Sequence, residues 1–228
     1  MSMNAYVEKC MLLDEQRSLI VRGIQEGKKE YETLISLIPE FTTNTYAPRL
    51  QYDAVNTHVE KMILSNPHTQ MKVFKKKAGF HPYIVLHDTL RNIFILVSKL
   101  PKSKYIYNQS GYRGDFASSN FDRLLEMGAP KEELLGDTVY QQSLTLGFEN
   151  QPFGIIVSYD RDSDVIYEGA LRPDQEDWIY KEDITESIIL NTKDIVPLNN
   201  YKASDIEPRL KPQREESDIL IKIKNTTT

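Results

Sequence analysis

The 228-residue chain is expected to form an α+β fold, with N-terminal helices packed on a mostly antiparallel sheet and an extended C-terminal tail. Up to Asn66 the apolar side chains recur at helical spacing. From Gln70 onward, short apolar runs are separated by polar turn formers, the pattern of strands. Two of those runs, 83–87 and 93–98, are apolar on both faces. They belong in the middle of a covered sheet, and the N-terminal helices are the natural cover.

In residues 6–38, Val7, Cys10, Leu13, Ile20, Ile24, Tyr31, Leu34 and Ile38 form one stripe on a helix surface. Gly23 and Gly27 each weaken that helix by about 1 kcal/mol relative to Ala, so one long helix and two with a break both fit. The stripe suits packing on the core; its period also suits a dimerisation seam. After Pro39, residues 42–45 offer a polar break and cap for a second helix over 48–64, with Tyr52, Val55, Val59, Met62 and Ile63 inward. Asn66-Pro67 ends it, because the residue before proline is driven out of helical geometry.

Residues 70–77 follow as an edge strand, Met71 and Val73 on one side, Lys72 and Phe74 on the other. Lysines guard such edges against unwanted pairing. The central hairpin, 83–87 and 93–98, turns through 88–92. Pro101 stops it, and 102–118 reads as a long polar loop rich in tyrosine. Ser119 caps a helix over 120–127 that Gly128 ends, and 130–135 adds a helical turn. Residues 138–148, 153–159 and 165–171 suggest an antiparallel meander, with 160–164 turning between the last two and a short strand at 178–180. One domain thus covers 1–196, helical over 1–66 and sheet-rich over 70–196. Residues 197–228 contain Pro197, Pro208 and Pro212 in a linker, then the alternating 218–224 as a terminal strand.

Hydrophobic content of 40% and charged content of 27% argue against wholesale disorder. Cys10 is the lone cysteine, so no internal disulfide forms and a reducing compartment is expected. The first fourteen residues lack the basic start and apolar run of an export signal. The longest apolar run, 93–97, is too short to span a bilayer. These features point to a soluble, cytoplasmic protein without a membrane partner. The Asn-, Lys- and Ile-rich composition resembles that of uncharacterised proteins from low-GC bacteria and their phages.

The net charge of −5 hides a segregation. Residues 61–113 carry ten Lys/Arg and one acid, Asp88, for a local charge of +9, whereas 114–228 carries −11. No cofactor fingerprint accompanies this. Gly111 and Gly114 belong to no phosphate-loop or dinucleotide motif. Asp160, Asp162 and Asp164 open like a calcium loop, but Val165 and Leu171 stand where that loop needs Gly and Glu. Neither Ser110 nor Cys10 has a nucleophile's context. His81 and His87, six residues apart on one strand, lie about 20 Å apart and cannot hold one ion. A hairpin flanked by helices also suggests a nuclease site built from Asp88, Lys99 and Glu60. Its most demanding carboxylate position holds Val97, which cannot ligate a cation, so that reading is a divergent nuclease-like fold with a degraded metal site.

What stands out is a cationic, aromatic set: Lys72, Lys75, Lys76 and Lys77, then Lys102, Lys104, Tyr105, Tyr107, Tyr112 and Arg113. Lysines neutralise phosphates and exposed tyrosines stack bases. The expected function is non-enzymatic binding through this face, with nucleic acid as the leading partner and no cofactor or metal. A protein-interaction or inhibitory role through the acidic C-terminal half is the competing reading.

Overall fold

A short helix, α1 (Met3–Val7), leads into α2 (Asp14–Ser36), which pairs with α3 (Ala47–Ser65) ahead of the sheet. The computed structural model describes residues 3–38, 46–79, 81–100, 111–131, 134, 152–172, 175 and 177–187. The expected cap at 42–45, the strand at 138–148 and the tail at 197–228 lie outside them.

The break in the N-terminal segment falls at 8–13 and not at the glycines. There Gln16 Oε1 accepts the Leu13 N–H at 3.2 Å, fixing the start of α2. Gly23 and Gly27 lie inside an unbroken helix, facing α3. A Cβ on Gly23 would come within 2.7 Å of Val59 Cα, and one on Gly27 within 2.5 Å of Val55 Cα. The two glycines therefore let antiparallel helices approach backbone to backbone. Asn66-Pro67 does end α3, and a 3₁₀ turn, Pro67–Thr69, delivers the chain to the sheet.

Six strands follow among the described residues: β1 (Met71–Ala78), β2 (His81–Asp88), β3 (Ile93–Lys99), β4 (Phe153–Tyr159), β5 (Ile166–Leu171) and β6 (Trp178–Asp183). They lie side by side in chain order, antiparallel except for the parallel pair β3 and β4. The crossover between those two contains α4 (Gly111–Glu126). With helices packed against a mostly antiparallel six-stranded sheet, the fold is α+β. β1 is an edge strand and the β2–β3 hairpin lies inside, as their residue patterns require.

Ile84 and Leu86, Ile93, Ile95 and Val97, and Phe153, Ile155 and Val157 share one face with the apolar side of α2 and α3, and this layer is the main core. Helix α4 starts eight residues before the expected cap. Gly111 and Gly114 read as loop formers, yet both sit in its first turns, and Ser119 is in mid-helix. Its Ala117 packs with Ile156 and Leu171 on the second face of the sheet, while Phe121 and Leu124 reach the main core. Between them the buried Asn120 enters where β4 and β5 part. Its Nδ2 donates to Gly154 O (3.0 Å) and Leu171 O (3.3 Å), and its Oδ1 accepts the Gly154 N–H (2.6 Å). One amide thus satisfies backbone groups that the ladder leaves open. Among the described residues no helix is long and apolar enough to cross a membrane.

Candidate functional site

The pleat of β1 decides which lysines act together, because successive side chains leave opposite faces. Lys75 and Lys77 project to the side of α3, where Lys75 Nζ meets Glu60 Oε1 at 2.9 Å. Lys72 and Lys76 project from the second face with Phe74 between them, about 13 Å apart by strand rise. All four lysines are exposed, and Lys72, Lys76 and Lys77 have no ion pair among the described residues. The register places Tyr83 opposite Lys76, Val85 opposite Phe74 and His87 opposite Lys72, and it pairs His87 with Phe94 of β3.

An aromatic surface results. The His87 imidazole stacks on Phe94 with ring centres 4.1 Å apart and planes 6° from parallel, and Phe74 lies 6.1 Å from His87. His87 Nε2 also meets Asn92 Oδ1 at 3.1 Å, which orients the ring. Phe74 is 39% exposed, unusual for a phenylalanine in a strand. Beside it opens a cavity of about 380 Å³ lined by Phe74, Lys76, Tyr83, Val85 and Phe94, with Ser119 of α4 and the start of β4 closing the far side. Across the strands of this face the described cations are Lys72, Lys76 and Lys181, against one acid, Asp183.

Of the other residues singled out in the sequence, Lys102, Lys104, Tyr105 and Tyr107 lie outside the described residues. Tyr112 and Arg113 belong to the first turn of α4 and not to a loop, and a Cβ on neighbouring Gly114 would meet the Gln175 side chain beyond β5. Arg113 is therefore at the β5 end of the sheet, away from the lysines of β1. Phe74, Tyr83, His87 and Phe94 do not belong to the cationic, aromatic set read from the sequence. The parity of Phe74 with Lys72 was visible in the sequence, but bringing the other rings beside it needed the strand register.

The residues of the nuclease reading are not brought together. Asp88 lies at the start of the hairpin turn opposite Ile93, and Lys99 ends β3 six residues further on, about 20 Å away. Glu60 is engaged by Lys75. Asp88 is 2% exposed and fully occupied: it accepts from Gln16 Nε2 (2.9 Å), Arg91 Nε (2.7 Å) and the N–H groups of Leu90 and Arg91. His58 and His68 meet Glu30 and Glu15 of α2, which ties α2 to α3 and to the 3₁₀ turn. Asp160 Oδ1 accepts from Asp162 and Ser163 N–H, the hydrogen bonding of a tight turn. No group of three or more potential metal ligands occurs among the described residues.

Neither a protein-family model, nor a curated protein, nor a solved structure matches this chain.

Proposed function

We propose that the protein is a non-enzymatic binding protein that takes single-stranded nucleic acid across the second face of β1, β2 and β3. The observation that carries this is the flanking of exposed Phe74 by Lys72 and Lys76, beside Tyr83, His87 and Phe94. Bases stack on aromatic rings whatever their sequence, while lysines spaced along a strand follow the phosphates. Buried, unpaired Cys10 fits a reducing compartment, and a cytoplasmic location is part of the proposal.

The test is binding of a fluorescent oligothymidine followed by anisotropy across a salt series. The logarithm of affinity falls with the logarithm of salt by about 0.7 per phosphate contact on a single strand. Lys72→Ala with Lys76→Ala flattens that slope, and Phe74→Ala costs about 1–3 kcal/mol at each salt concentration. Lys75→Ala, on the other side of the sheet and paired with Glu60, leaves binding nearly unchanged. Binding indifferent to the Lys72/Lys76 pair overturns the proposal. The competing reading, an acidic protein partner, would show loss with the lysines but little change with Phe74→Ala.

A further inference from the structure

Among the described residues the sheet opens in two places, and a described side chain fills one of them. Where β4 and β5 part, Asn120 enters and satisfies the free backbone. The other opening lies between β2 and β3. Their pairing stops at Val85↔Leu96, although β2 extends back to His81 and β3 runs on to Lys99. Pro82, which would face Lys99 in a continued register, has no N–H to offer the ladder. In this gap lies a cavity of about 310 Å³.

Its polar lining is one-sided. Tyr52, His81, Tyr83, Ser98 and Lys99 line it and carry side chains that can donate, and no described lining residue is a carboxylate. Lys99, half-buried, has its Nζ 2.7 Å from the Pro48 carbonyl, a neutral partner. Burial and then nearby Arg161 push the amine down to about 8, against the opposite pull of Asp162. Ser158 and Tyr159, paired with Ser98 and Lys99 across β3 and β4, are both buried, and their hydroxyls have no hydrogen-bond partner among the described residues. The place is also the carboxyl end of the parallel strand pair, where open sheets with parallel strands commonly bind ligands.

We infer that the cavity between β2 and β3 is a binding site for a small oxyanion-bearing molecule, a phosphate or a carboxylate, held by the Lys99 ammonium between the rings of Tyr52 and Tyr83. A charged group there replaces the water that Lys99 has lost and offsets its repulsion from Arg161. The ring-lined walls suit an organic body behind the anion. The site shares Tyr83 with the aromatic surface beside Lys76 but uses neither Lys72 nor Lys76, and it does not depend on the nucleic-acid reading.

The experiment is a pH titration of the lysine side-chain resonances of the full chain, alone and with inorganic phosphate or benzoate at about 10 mM. Lys99 is expected to titrate near 8 alone. One of the two probes should saturate and raise that midpoint by about one pH unit, and which of them does so separates phosphate from carboxylate. Probe affinity should fall as pH rises through the Lys99 midpoint, because the anion needs the ammonium. Lys99→Met keeps the apolar stem and should lose about tenfold or more in affinity, Lys99→Arg should retain it, and Lys72→Ala with Lys76→Ala should leave it unchanged. A Lys99 midpoint that neither probe moves overturns the inference without recourse to any variant. Equal affinity in folded Lys99→Met also overturns it.

Discussion

Asp88 and Glu168 are both buried carboxylates on the helix-covered face, and each is surrounded by donors tied to the N-terminal segment. Glu168, fully buried, accepts from the Leu12 N–H (2.8 Å), Arg17 Nε (2.7 Å) and the Tyr180 hydroxyl (2.8 Å). Arg91 links Asp88 to the same segment, donating to Met11 O and Gln16 Oε1 at 2.7 Å each. Together these residues pin 11–17 to the sheet. Removing one charge of such a set leaves its partner buried and uncompensated, so Glu168→Gln should cost about 3–5 kcal/mol in urea unfolding. Burial pushes the Asp88 carboxyl up, but hydrogen bonds from Gln16 and Arg91 outweigh it and hold the group below its usual range. Its folded pKa is thus lower than its unfolded value, near 3.9. The resulting stability is fully present above about pH 4 and is lost as pH falls through the folded value. Asp88→Asn should flatten the acid limb of a stability–pH curve; an unchanged limb would show that Asp88 contributes nothing to it. None of this was visible in the sequence, where Asp88 is one acid in a basic stretch. Its partners lie more than seventy residues away in Gln16 and three away in Arg91, and only the fold joins them.

Helices α2 and α3 show how a residue's cost in one context becomes its purpose in another. By propensity, alanine at Gly23 or Gly27 would gain about 1 kcal/mol. Against α3, the added methyl has no room, since it would meet backbone and not the end of a flexible side chain. Gly23→Ala and Gly27→Ala should each destabilise by about 1–3 kcal/mol net, measured by denaturant midpoint, and stabilisation by either would mean that the helices sit further apart than described. Elements set by local pattern were legible in the sequence: α3 with its Asn66-Pro67 stop, the Lys-guarded edge of β1, the hairpin and the turn at 160–164. Those set by distant packing were not. The start of α4 was hidden by Gly111 and Gly114, and the parallel pairing of β3 with β4 has no local signature. The candidate site was half legible, since alternation in β1 put Phe74 with Lys72, while Tyr83, His87 and Phe94 needed the register. The lysines at 72–77 looked like one cluster because charge along a sequence ignores the pleat.

Two explanations of the β1 lysines compete once the sheet is seen entire. An edge strand presents unpaired N–H and C=O groups, and charge on it prevents copies of the protein from pairing edge to edge. Charge on the second face instead serves binding. Simple removal of charge confounds the two, because both roles are lost. Reversal separates them: Lys72→Glu with Lys76→Glu keeps the edge charged but repels phosphate. That variant should stay monomeric by light scattering and lose oligonucleotide binding. Lys72→Val with Lys76→Val should lose binding too and also associate with concentration, since a more apolar edge with high strand propensity invites pairing. If the glutamate variant binds as well as the parent, the lysines are guards alone, and the aromatic face next to them must be explained without nucleic acid.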